Sequence, residues 1–123
     1  MPESPEPDRA AALAGEREVA AHQIDVLVRD LARVVEASES SNADDEHDPE
    51  GATIAFERAQ LSALLDAARA RLEDVQRALD RLAAGEDGRC ERCGGPIGAE
   101  RLQARPAARD CIDCARADRW PRS

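Results

Sequence analysis

The sequence predicts a mainly α-helical fold: an antiparallel coiled-coil helical hairpin followed by a small C-terminal module built on four cysteines. Three observations lead there. Apolar residues recur at steps of three and four over two stretches, 20–34 and 61–82, which is the spacing of a coiled-coil seam. An acidic segment punctuated by Ser, Asn, Gly and Pro separates the two stretches. Cys90, Cys93, Cys111 and Cys114 then form two Cys-x-x-Cys pairs with 17 residues between them. With one Phe, one Trp and no Tyr, a large aromatic core is excluded. Ala, Leu and Val must do the packing, and they suit helices better than sheets.

Taken in order, residues 1–9 are expected to be disordered, or at most a helix entry over the first seven, because the acidic, Pro-rich MPESPEP has nothing to bury; Asp8 could cap the helix that follows. The first seam runs through Ala20, Ile24, Leu27, Leu31 and Val34. Leu13 extends it backwards, although Arg17 takes the intervening seam position and Gly15 weakens the helix there. Residues 36–51, EASESSNADDEHDPEG, carry seven acids and no Arg and read as a loop. Asp48-Pro49-Glu50 makes a good helix start, with an Asp cap, Pro at the first helical position and an acid at the positive end of the dipole. A second seam follows through Leu61, Leu65, Ala68, Leu72, Val75, Leu79 and Leu82, and Gly85 is placed to end that helix in a left-handed conformation.

A short connection favours burying the two seams against each other; a parallel coiled-coil dimer is the competing arrangement. A second helix of ~30 residues would extend about 45 Å. The expected organisation is a hairpin over 10–85 with its acidic tip loop at 38–51, a cysteine module over 86–118 and a short tail, 119–123.

Charge narrows the function. The chain carries 26 acids against 17 basic residues, all of them Arg, for a net charge of −9. Residues 1–84 hold 9 Arg and 19 acids, while 85–123 hold 8 Arg and 7 acids. A protein grips duplex nucleic acid by neutralising phosphates, so general DNA binding is not expected as the main task. No stretch approaches the ~20 apolar residues that span a bilayer. The N-terminus lacks the basic and apolar regions of a signal peptide, and a cytoplasmic protein is expected.

The cysteine spacing points to one tetrahedral Zn2+. Two residues between paired ligands let both sulfurs reach one ion at about 2.3 Å, and four thiolates leave no open position for water. Two disulfides or a redox Cys-x-x-Cys are the alternatives, and a reducing compartment disfavours the former. Gly94 and Gly95 supply a permissive knuckle, and Cys114 is expected on a short helix. Ile97, Leu102, Ile112 and Trp120 offer only a tiny core, so this module should depend on its metal to fold.

The segment CERCGGPIGAERLQARPAARDCIDCARA resembles the C4 zinc finger of the DksA/TraR family of bacterial RNA polymerase-binding transcription regulators. The resemblance rests on the cysteine spacing together with Gly94, Pro96-Ile97-Gly98, Arg101-Leu102, Ala104-Arg105-Pro106 and Ile112-Asp113. It implies a monomeric regulator whose hairpin enters the polymerase secondary channel and whose acidic tip approaches the active centre, altering promoter-complex lifetime without reading DNA sequence. The tip acids it implies are Asp45 and Asp48, with Asp44, Glu46 and Glu50 as candidates in neighbouring registers. Asp48 could instead serve only as a helix cap. Some members hold guanosine tetraphosphate with basic residues. Arg105 matches one such position, whereas Asp74 and Ala115 stand at two others, so a response to that nucleotide is not expected here. Arg105 could alternatively pair with Asp110 or Asp113. His47 and His22 are read as bystanders.

Two rivals remain at this level. One is a zinc-ribbon DNA-binding protein using Arg89, Arg92, Arg101, Arg105, Arg109, Arg116, Arg119 and Arg122. The other is a coiled-coil adaptor with an inert tip. An enzyme is not expected, since there is no nucleophile–base pair, open metal site or phosphate-binding loop.

Overall fold

The computed structural model describes residues 6–41 and 49–119. Two long helices dominate it: α1 over Glu6–Ser41 and α2 over Pro49–Ala83. Two short ones follow, α3 over Ala99–Ala104 and α4 over Ile112–Arg119. The only extended pairing among the described residues is an isolated antiparallel bridge between Arg89 and Pro96.

The long helices reach further than their seams suggest. Helix α1 already includes Glu6, so the segment expected to be disordered up to residue 9 is helical from there, and Asp8 lies inside the helix rather than at its cap. Pro7 is compatible because the first turn has no use for its missing N–H. The helix also runs through Gly15 without interruption. At its other end α1 continues through 38–41, where Ser is an indifferent helix former but Glu39 is a good one and no Gly or Pro intervenes. Helix α2 opens on Pro49, as its position predicts. Residues 42–48, with Asp44, Asp45, Glu46, His47 and Asp48 of the expected tip loop, lie outside the described residues.

The chain packs as two units, Met1–Glu18 with Leu72–Ser123, and Val19–Arg71. In the second unit Ala20, Leu65 and Ala68 are buried, and Ile24, Leu27, Leu31, Val34 and Leu61 are half-buried. Val34 shares a surface groove with Leu61, and Leu27 shares another with Ala68. Later positions of α1 thus meet earlier positions of α2, and the helices run antiparallel.

In the other unit Leu13 and Val75 are fully buried with Ala78 beside them, and Leu79, Leu82 and Ala107 pack against this cluster. Here too a residue early in α1 meets residues late in α2. The two seams close on each other within one chain, giving a mainly α, antiparallel helical hairpin with a C-terminal four-cysteine module. Arg17 is exposed and Glu16 half-buried instead, as the 3.6-residue period of a straight helix drifts from a strict heptad.

Helix α2 stops by the mechanism its sequence implies. Gly85 has φ 77°; its N–H donates to the Leu82 carbonyl at 3.1 Å, and the Glu86 N–H donates to Arg81 at 2.9 Å. This paired pattern is the Schellman motif, which satisfies carbonyls that the helix end would leave unpaired. It turns the chain directly into the cysteine module.

Candidate metal centre

The module is a set of short turns that aim four sulfurs at one point. The Gly88 carbonyl accepts the Ile97 N–H at 2.9 Å and the Cys90 N–H donates to Gly95 at 2.7 Å, so 88–90 and 95–97 form a minimal ribbon. Between them, the Gly94 N–H donates to the Cys90 carbonyl at 3.0 Å. Gly94 sits at φ 77°, a conformation that favours glycine. The knuckle also points N–H groups at sulfur: Arg92 at Cys90 Sγ and Gly95 at Cys93 Sγ, each at 3.4 Å. Cys111 stands immediately before α4, and its Sγ accepts the Cys114 N–H at 3.5 Å. That is an N-cap arrangement with sulfur as acceptor, at the helix end whose dipole favours an anion.

Cys90 is buried, Cys111 and Cys114 are half-buried and Cys93 is exposed. All four Sγ atoms lie within 4.8 Å of one another. A tetrahedron with Zn–S of about 2.3 Å has edges of about 3.8 Å, and Cys93 and Cys111 Sγ are 3.8 Å apart. The thiols are free, which removes the disulfide alternative. The donor set, its spread and its closed geometry fit one structural Zn2+. Without a cation the four sulfurs cannot all ionise. Backbone hydrogen bonding, at Cys93 foremost, lowers the Cys90 thiol to about 6. Hydrogen bonding with Cys111 and Cys90 pushes Cys114 up to about 12. A divalent ion removes this difference by deprotonating every ligand.

A charge cluster ties the centre to α2. Glu91, with its side chain 13% exposed, accepts Arg77 Nε at 2.9 Å and Arg109 Nη2 at 3.4 Å, and Arg81 Nε lies 4.0 Å away. Asp74 takes the other side of Arg109 at 3.4 Å. Burial by itself would raise the Glu91 pKa, but the hydrogen bonds and charges of Arg77 and Arg109 outweigh it and hold the carboxyl below its ordinary 4.5. A depressed carboxylate stabilises the fold above its ordinary pKa and loses that contribution as pH falls through the folded value. Glu91→Gln should therefore cost about 1 kcal/mol, since its arginine partners are half-exposed and screened. Denaturant titration of the zinc-loaded protein should give the same difference throughout about pH 6 to pH 8; equal stability of the two proteins would dismiss the role.

Other sequence expectations fare unevenly. Ile97 is buried and Leu102 half-buried, but Ile112 is 44% exposed, because Cys111 and Cys114 take the inward positions at the start of α4. Trp120 lies outside the described residues. Glu50 falls in the first turn of α2. Arg105 follows α3, its N–H donating to the Arg101 carbonyl at 2.7 Å, and its side chain is exposed. The Asp110 carbonyl accepts Arg101 Nε at 2.8 Å; among the described residues Arg105 pairs with neither Asp110 nor Asp113. Glu91, Asp87 and Arg9 escaped sequence reasoning.

A four-cysteine zinc finger carried on an antiparallel helical hairpin is thus the class of protein that fold and site define. Residues 85–118 match the prokaryotic dksA/traR C4-type zinc finger. The chain is 37% identical over 83 residues to general stress protein 16O of Bacillus subtilis, covering 68% of this chain and 50% of that protein. It is 41% identical over 49 residues to the RNA polymerase-binding transcription factor DksA of Escherichia coli K12, covering 40% of this chain and 32% of that protein. The matched segment thus spans half or less of these curated relatives. The structure of transcription factor DksA2 from Pseudomonas aeruginosa superposes with a TM-score of 0.74 at 28% identity, over 97% of this chain and 88% of that one. Residues 85–118 are thus a zinc finger of the dksA/traR C4 type, carried on a hairpin whose fold is that of DksA2.

Proposed function

We propose that this protein is a transcription regulator that binds RNA polymerase, with no catalytic activity of its own. The observation that carries the reading is the likeness to transcription factor DksA2 over nearly the whole chain, hairpin included. A zinc finger match alone would leave the hairpin without a role. The closed set of four cysteines agrees, since four protein ligands leave no coordination position for a substrate.

In the finer form of the proposal the hairpin inserts into the polymerase secondary channel, and acids of the intervening segment act near the active-centre Mg2+. Asp45 and Asp48 are the first candidates, with Asp44, Glu46 and Glu50 beside them. Carboxylates act through such a metal by direct coordination or field. The protein is proposed to work as a cytoplasmic monomer without sequence-specific DNA contact. No helix among the described residues is long and apolar enough to cross a membrane. A guanosine tetraphosphate response is not part of the proposal, because Asp74 is an acid on Arg109 and Ala115 offers no charge.

Single-round transcription by the cognate polymerase at a ribosomal-RNA-type promoter tests the reading, with wild type compared against Asp45→Asn/Asp48→Asn. The wild type should change transcript yield. The double variant should lose most of that effect while its polymerase affinity stays within about twofold. Equal action of both proteins would refute the tip assignment, and absence of polymerase binding by either would favour a coiled-coil adaptor.

A further inference from the structure

Arg9 and Asp87 are 78 residues apart in sequence, yet Arg9 Nε donates to both Asp87 oxygens at 2.9 and 2.7 Å and Nη2 lies 2.6 Å from Oδ1. Both side chains are largely shielded, at 13% and 19% exposure, whereas Arg33 and Asp30 form a pair in open solvent. Shielded, multiply hydrogen-bonded pairs are the strong ones, and open pairs contribute little. Arg9 Nη1 is also buried with no protein partner among the described residues, so Asp87 is what answers this guanidinium.

Asp87 stands three residues before Cys90, at the entry to the 88–90 half of the ribbon. On the other side of the centre, the Glu91 N–H donates to the Arg109 carbonyl at 2.9 Å, joining the first ligand pair to the segment that leads into Cys111. Ala107 in that segment packs on the Leu13 cluster. Both approaches to the metal therefore touch the first turns of α1.

We propose that Arg9 is a remote positioning residue of the metal centre. By holding Asp87 it fixes the 88–90 segment in the register that presents Cys90 and Cys93, and so tightens zinc binding. Because coupling is reciprocal, the bound ion in turn orders residues 10–18 of α1. The proposal does not depend on the polymerase reading.

The test is zinc affinity by competition with a chromophoric chelator, using the full chain as wild type, Arg9→Met, Asp87→Asn and the double variant. Each single variant should bind zinc about tenfold more weakly. Asp87→Asn should be the worse of the two, since it strands a buried guanidinium, and the double variant should be no worse than Asp87→Asn alone. Arg9→Lys should recover part of the loss. Amide exchange on the wild type gives an independent readout: chelating the zinc should lower protection over 10–18 and leave 22–34 unchanged. Affinities within about twofold of wild type, or protection over 10–18 that is indifferent to zinc, would overturn the proposal. If a variant does not fold, the Arg9→Lys affinity and the wild-type exchange experiment still decide it.

Discussion

Removing the zinc, by chelation or by Cys111→Ser, is expected to abolish the fold of residues 85–118. Structural zinc in finger peptides contributes on the order of 10–16 kcal/mol of apparent binding free energy near neutral pH, as much as the whole stability of an ordinary domain, about 5–15 kcal/mol. This module has little else. Among its described residues only Ile97 and the ligand Cys90 are buried, and α3 has no buried residue at all. Its backbone hydrogen bonds join turns to one another, and the side-chain bonds that tie it to Arg9, Asp74, Arg77 and Arg81 are polar links that assemble no core.

The loss should be read at particular amides. The N–H groups of Cys90, Gly94 and Ile97, each bonded within the ribbon, should exchange slowly with zinc and at chain-like rates without it. The same loss should appear on acidification, with a definite sign. Each ligand must shed its proton to bind, so apparent affinity falls as pH falls. Cys114, pushed up to about 12 among the bare thiols, holds its proton most firmly and makes the competition steeper. Persistent ribbon protection in a zinc-free protein would show that the turns stand on their own.

How much of this was open to sequence reasoning follows from the physics of each part. The long helices were legible because Leu, Ile and Val at heptad spacing have one economical explanation. Every residue assigned to the two seams, from Ala20 to Leu82, is buried or half-buried. The cysteine centre was legible because metal-ligand spacing is local. Gly85 and Gly94 were legible because only glycine readily takes the left-handed angles those turns use. What escaped was small or distant. Ala78 is a core residue and Ala107 packs against it, but both stand off the seam spacing, and alanine is too frequent here to mark a core position without that spacing. Arg9 and Asp87 have no sequence relation that marks them as a pair, and Glu91 sits between two ligands where only a three-dimensional fold brings Arg77 and Arg109 to it. Helix α1 extends past its seam at both sides because Pro7 falls in the first turn, where it is tolerated, and no Gly or Pro interrupts 35–41, so a helix that tertiary packing has nucleated can continue.

The second large effect is expected from Leu13→Ala. Leu13 has no solvent exposure, and its cluster contains Val75 and Ala78 with Leu79, Leu82 and Ala107 around it. Truncating a buried Leu removes its transfer free energy and leaves a cavity, together about 2–5 kcal/mol. The upper half of that range applies if the site cannot collapse. Two of its neighbours are alanines, with no side-chain reach to fill the space, and both Leu13 and Val75 are carried on long helices whose backbones cannot close in without shifting whole turns. Val26→Ala is the matched control: Val26 is 40% exposed, and its truncation should cost less than about 1 kcal/mol. Urea titration of the zinc-loaded proteins measures both, with the slope compared to confirm that only stability has changed. Leu13 is where the first turns of α1, the end of α2 and the Ala107 segment of the zinc module meet, so its cluster is the apolar counterpart of the Arg9–Asp87 pair. If Leu13→Ala costs no more than Val26→Ala, the module is held to the hairpin by its ion pairs and not by this core.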